Sequence, residues 1–171
     1  MIRANIFWQV YLTYMKNRSF CVALALLAAF ASQAAELATF DEVRSQYQSY
    51  KDPTRMSYLY NRCAALQLNV SALFMRKGQG QAARDYEVLA QHYMVLSEAN
   101  EREIDKKRGL KSKDTMKTVQ RNVATVSEVY SQRMKKNSLQ SGEYVRGDAQ
   151  LEAELQECMN PDMFVKKLSK N

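Results

Sequence analysis

Between residues 56 and 73, Met56, Leu59, Cys63, Leu66, Val70 and Leu73 recur at alternating steps of three and four. That step keeps side chains on one face of an α-helix and specifies packing against other helices at a shallow angle. Tyr60 and Phe74 widen the stripe. Asp52 ahead of Pro53 offers an N-cap and a first-turn proline. Arg76-Lys77-Gly78 offers a basic last turn followed by a glycine stop. The sequence therefore predicts a central helix over residues 53–77.

The same step returns twice. Ala82, Tyr86, Leu89, Tyr93 and Leu96 predict a second helix over residues 81–107, ended at Gly109. Met116, Val119, Val123, Val126, Tyr130 and Met134 predict a third. Ser112 is its expected N-cap, Asp114 falls in its first turn, and it frays through residues 135–137. Long helices joined by short loops fold back antiparallel. Only 5 Gly and 2 Pro in 171 residues agree with a helical chain.

Two shorter helices flank these three. Thr39 followed by Glu42 is a capping-box pattern, and Phe40, Val43 and Tyr47 share a face. This predicts a short N-terminal arm. Residues 138–147 have no clear period. Asp148 then caps a short helix in which Leu151, Leu155 and Cys158 are spaced four and three apart. Asn160-Pro161 ends it, leaving a short basic tail with Met163, Phe164 and Leu168 as anchors. A helix this short is marginal alone. Cys63 lies mid-stripe in the central helix, so a Cys63–Cys158 bond would fix the short one in place; two buried free thiols are the alternative. The expected fold class is all-α: a small antiparallel helical bundle of three long helices plus a short C-terminal helix, stapled by Cys63–Cys158.

The front of the chain reads as an export signal. Residues 1–35 hold Arg3, Lys16 and Arg18 and no acidic residue. Residues 20–31, FCVALALLAAFA, are uncharged, and Ser32 and Ala34 stand at the small-residue cleavage spacing. Cleavage after Ala34 is the first expectation and after Ala31 the second; the true start is either Met1 or Met15. A retained anchor is the rival reading, but spanning a bilayer takes roughly 20 apolar residues. No later stretch approaches that length. The expected product is a single domain over residues 35–171, periplasmic or secreted, in a compartment that permits disulfides. Removing Arg3, Lys16 and Arg18 takes the formal net charge from +7 to +4.

Signatures of chemistry are missing. His92 is the only histidine. There is no HxxxH, ExxH, CxxCH or CxxC, so metal, haem and thioredoxin-type redox chemistry have no support. No GxSxG surrounds a serine, and no GxxxxGK[ST] loop is present. Glu98 and Glu101 are three apart beside Arg102 and read as surface charges. The glycosylation pattern Asn69-Val70-Ser71 falls mid-helix. No catalytic, cofactor-binding or metal-ligating residue is expected.

Two surfaces are candidate interfaces. Arg102, Lys106, Lys107, Arg108, Lys111, Lys113, Lys117 and Arg121 crowd the junction of the second and third helices, diluted by Glu101, Glu103, Asp105 and Asp114. A cationic end of the bundle would draw an acidic protein, anionic lipid or wall polymer; a solvated helix end is the plainer reading. Tyr58 and Tyr60, two apart on a helix, cannot both face the core, so one is a candidate anchor for a partner. The expected function is non-enzymatic: an exported protein that binds a partner in the cell envelope, as accessory subunit, chaperone-like factor or inhibitor. A small envelope enzyme acting on peptidoglycan or lipid, and a peripheral binder of anionic membranes, are the alternatives. Nucleic acid is not an expected partner, because export removes the chain from it. The sequence leaves the oligomeric state open.

Overall fold

The structure, a computed structural model, describes residues 37–46, 52–111 and 114–168. The expected leader, Tyr47, Ser112, Lys113 and residues 169–171 lie outside them. Six helices run through the described residues: α1 (Phe40–Ser45), α2 (Pro53–Arg76), α3 (Gly80–Lys107), α4 (Thr115–Ser141), α5 (Ala149–Cys158) and α6 (Pro161–Leu168). The long helices α2, α3 and α4 pack as an antiparallel bundle, with α5 laid on α2 and joined to it by the Cys63–Cys158 disulfide. The Cα atoms of the two cysteines are 5.3 Å apart. None of the helices among the described residues is long and apolar enough to cross a membrane.

The helix ends form as their local sequences dictate. The Thr39 hydroxyl accepts from Glu42 N–H at 3.2 Å while the Glu42 carboxylate accepts from Thr39 N–H at 2.6 Å, a complete capping box for α1. Asp52 accepts from Thr54 and Arg55 N–H, and Pro53 takes the first turn of α2. Asp148 accepts from Leu151 N–H at 3.1 Å and opens α5.

The central helix is buried far beyond its predicted stripe. Leu59, Cys63, Leu66 and Val70 are buried as expected, but every residue from Leu59 to Gln67 is buried. The helix has neighbours all round, so polar residues lie in the core too.

In α3 Tyr93 of the predicted stripe is buried as expected, but the rest of the buried face lies one residue along from it. Ala82, Leu89 and Leu96 are only half-buried, whereas Ala83, Ala90 and Ser97 are fully buried at steps of seven. On α2, Ser57, Ala64 and Ser71 repeat at the same step and are equally buried. Ser57 Oγ lies 3.0 Å from Ser97 Oγ. In an antiparallel pair that register sets Ala64 opposite Ala90 and Ser71 opposite Ala83. Two short side chains that touch leave room for little between the backbones, so α2 and α3 approach closely along their length. Large residues such as Tyr86 and Leu96 flank this seam instead of forming it.

Three boundaries differ from the sequence reading. Asp114 is not inside the first turn of α4 but is its N-cap, in the left-handed region at φ 63° with no side-chain cap bond. Residues 135–137 do not fray: α4 runs on to Ser141 and stops where Gly142 takes φ 78°. Asn137 explains the extension. It is buried, and its amide donates to the carbonyls of Glu143 and Arg146, each at 2.9 Å, tying the following loop back onto α4. The stretch expected as a tail is helical over residues 161–168, because Pro161 begins a new helix after ending the old one. Phe164 anchors it, with its ring 5.7 Å from Phe40, 6.0 Å from Tyr60 and 5.8 Å from Tyr93.

Candidate functional site

Three places in the molecule concentrate polar or apolar features that the helix pattern alone does not require. The first is a buried charge cluster beside the disulfide. Arg62 is fully buried next to Cys63. Its Nη2 donates to Glu154 Oε1 at 2.5 Å and its Nε to Tyr130 Oη at 3.1 Å. Nη1 donates to the carbonyl of Ala38, and the guanidinium lies 4.7 Å from the Phe40 ring centroid. Tyr130 donates to the other oxygen of Glu154. Gln150 adds a bond to Glu154 at 2.7 Å and one to Leu37 O at 3.0 Å. Burial, reinforced by the Glu154 charge, pushes the Tyr130 hydroxyl well above its usual range, which keeps it a donor. One cluster thus joins the N-terminal arm, α2, α4 and α5. It is closed to solvent and fully partnered, which suits structure and leaves no room for a substrate.

The second is the cationic hairpin end. The turn between α3 and α4 brings Arg102, Lys106, Lys107, Arg108, Lys111, Lys117 and Arg121 to one end of the bundle, all exposed; Lys113 is outside the described residues. Acidic neighbours engage several of them. Arg102 bonds Glu98 at 2.8 Å, Lys107 bonds Glu103 at 3.1 Å and Lys117 bonds Asp114 at 3.5 Å. The Arg102 hydrogen bond, helped by one from Thr115, holds the Glu98 carboxyl below its usual value. Glu101 accepts from the buried Ser57 hydroxyl. The two glutamates are therefore parts of helix-to-helix joints and not a free pair.

The tyrosine pair separates as its spacing requires. Tyr60 is buried among Tyr93 and Phe164. Burial pushes its hydroxyl up to about 12. Tyr58 is half-buried, with the Arg62 guanidinium 5.7 Å from its ring. His92 is exposed and edge-on to Tyr93. No group of three or more His, Cys, Asp or Glu side chains among the described residues is placed to hold a metal ion. Asn69 donates to Ala65 O, Ser127 O and Ser127 Oγ, and Ser71 is buried, so the glycosylation pattern is closed off inside the bundle.

The third place is a cleft that sequence reasoning missed. It encloses about 430 Å³ between the C-terminal half of α2, the N-terminal part of α3, the 142–148 loop and α5. That volume falls in the range of roughly 300–1,000 Å³ usual for small-molecule sites. Val70, Leu73 and Phe74 of α2, Leu155 of α5 and Val145 of the loop supply its apolar floor. Tyr86 stacks on Phe74 with centroids 5.2 Å apart and makes one wall. Lys77, Glu143, Arg146 and Glu152 stand exposed around it. The disulfide fixes α5, and Asn137 fixes the loop, so two of the cleft's sides are held by bonds outside it. Arg133 adds a third fastening: it bonds both oxygens of Asp148, at 2.6 and 2.8 Å, where the loop enters α5. Burial raises the Asp148 carboxyl, but the bonds from Arg133 and Leu151 N–H outweigh it and hold the group below its ordinary value.

Half of this cleft was legible in principle. Leu73, Phe74 and Leu155 stand at apolar stripe positions, yet they are only half-buried. Tyr144 and Val145 lie in a segment without a period, so nothing in their spacing points to α2. Compared with known proteins, the chain matches no family model, no curated protein and no solved structure.

Proposed function

We propose that this chain is an exported, non-enzymatic helical protein of the cell envelope that acts by binding a partner. In this reading residues 1–34 are a signal removed near Ala34, and the remaining domain works in the periplasm or outside the cell. The observation that carries it is the Cys63–Cys158 bond, which ties α5 to the middle of α2. A disulfide that closes a loop of 95 residues is at home in an oxidising compartment. The export-type leader in the sequence supports the same compartment independently. An open apolar cleft, an exposed cationic hairpin and the half-buried Tyr58 offer surfaces for binding. The closed Arg62–Glu154–Tyr130 cluster offers none for catalysis.

The protein partner is sought by crosslinking the tagged protein in its native envelope fraction and capturing it at low and at moderate salt. One stoichiometric partner is the expected result, with crosslinks at the hairpin, at Tyr58 or at the cleft. Loss at moderate salt would assign the hairpin, since exposed charges are screened within about 8 Å at physiological ionic strength. A full-length chain with both cysteines reduced in the cytoplasm would overturn the reading.

A further inference from the structure

We infer that the cleft between α2, the 142–148 loop and α5 binds a single-chain anionic amphiphile, its hydrocarbon tail on the floor and its head at the rim. The inference rests on the proposal that this is a binding protein and names the ligand class of that site.

The floor decides the tail. Val70, Leu73, Val145 and Leu155 bring no side-chain donor or acceptor to the cleft, and Phe74 is stacked flat on Tyr86. A polar group pushed onto that surface would lose its water without gaining a partner, at roughly 2 kcal/mol or more. Hydrocarbon loses nothing there and gains by about 25 cal/mol for each Å² removed from water. The buried part of the ligand is therefore apolar and lacks the amide groups of a peptide backbone.

The rim decides the head. Lys77 and Arg146 are both exposed at the edge of the cleft. Arg76, exposed on the same last turn of α2, holds its guanidinium 6.0 Å from the Tyr144 ring centroid. Against these three cations stand Glu143 and Glu152. Glu152 already accepts the Gly147 N–H at 2.7 Å, where the loop turns at φ 88°. The lining itself balances two cations against two carboxylates, and Arg76, beside the Tyr144 ring, tips the rim to a surplus of one positive charge, which favours a carboxylate or a phosphate monoester over a cationic or neutral head. The two head groups share this chemistry, and the test separates them.

The test uses the purified, oxidised chain and four probes with the same tail: dodecanoate, dodecyl phosphate, dodecyltrimethylammonium and dodecyl maltoside, each below its micelle concentration. Amide chemical shifts in an isotope-labelled sample report where each binds. Dodecanoate, dodecyl phosphate or both are expected to move the amides of Phe74, Val145 and Leu155, and whichever binds tighter names the source. Reversing the rim charges with Lys77→Glu and Arg146→Glu together should weaken the anionic probes about tenfold or more, the scale of one charge-assisted bond. Both residues are exposed, so unchanged helical circular dichroism shows that the variant still folds. Equal binding of the cationic or neutral probe, or no movement of those three amides with any probe, would overturn the inference. Capture of a protein partner with no amphiphile bound would sink this inference and leave the binding reading standing. Head-selective binding by a chain found reduced in the cytoplasm would do the reverse.

Discussion

Arg62 shows how a charge can sit at the centre of a small bundle. Its guanidinium is fully buried, yet each of its faces and edges meets a partner: Glu154, Tyr130, the Ala38 carbonyl and the Phe40 ring. Removing one member of a buried pair strands the other, which costs about 3–5 kcal/mol, whereas replacing both by apolar groups of similar volume is often neutral. Arg62→Met alone is therefore expected to destabilise by that amount in urea unfolding, and Arg62→Met with Glu154→Met to recover much of it. Additive losses would show that the pair is not coupled. The buried tyrosines make a second prediction at this scale. Burial raises the hydroxyl of Tyr60 to about 12 and pushes those of Tyr93 and Tyr130 up as well. Between the unfolded value near 10 and the folded values, the native chain binds more protons than the unfolded one, so stability falls as pH rises. Stability should be level in tyrosine's contribution below about pH 10 and drop above it, with phenolate absorbance from these three rings developing only as helicity is lost. Ionisation of all tyrosines ahead of unfolding would contradict their burial.

Among the elements, α2 and α3 carry the closest packing. Their seam is built from Ser57, Ala64 and Ser71 against Ala83, Ala90 and Ser97, at steps of seven. Small residues give the close seam no large-apolar period, so the 3-4 step of α3 falls on the flank at Ala82, Tyr86, Leu89 and Leu96, with Tyr93 alone of that stripe fully buried. Overpacking a filled interior typically costs about 1–3 kcal/mol. Ala90→Leu should lower the urea midpoint by that equivalent, while Val88→Leu, at an exposed position of the same helix, should leave it nearly unchanged. Equal effects at the two sites would mean that the helices can slide apart to admit the larger chain. The seam is also partly hydrogen-bonded: Ser97 donates to Asn61 Oδ1 at 2.8 Å, so its polar atoms are not idle. The loop after α4 is an element in which local sequence and tertiary contact disagree. Residues 138–141 have no apolar period, but Asn137 closes the loop behind them and the helix continues to Ser141.

On the scale of the whole molecule, the disulfide and the buried cluster work on the same joint. Both attach α5 to α2, and Gln67 adds a bond from its amide to the Cys158 carbonyl at 2.6 Å. Closing a loop of 95 residues stabilises by about 4–5 kcal/mol in chain-entropy models. The variant Cys63→Ala with Cys158→Ala is expected to lose stability of that order and, below global unfolding, to lose hydrogen-exchange protection in α5 before α2. Uniform loss across both helices would show that α5 has no independent opening. The expected consequence reaches the cleft, since α5 supplies Leu155 and Glu152 to it.

The sequence by itself determined five of the six helices, the caps of α1, α2 and α5, the antiparallel order and the pairing of the two cysteines, but not the helix at 161–168 or the start and end of α4. These follow from local rules: a 3-4 step, a capping residue, a proline or glycine at an end, and a short helix needing attachment. It also determined that Tyr58 and Tyr60 must part company, without saying which would be buried. Only the tertiary structure decided that Tyr60 joins Tyr93 and Phe164, that Arg62 and Glu154 meet across 92 residues, and that Val145 lines one cleft with Val70 and Leu73. Periodicity records which face of a helix is turned inward, but it carries no register between helices. A buried charge or a cleft depends on that register, because it exists only where side chains distant in sequence come within contact of one another.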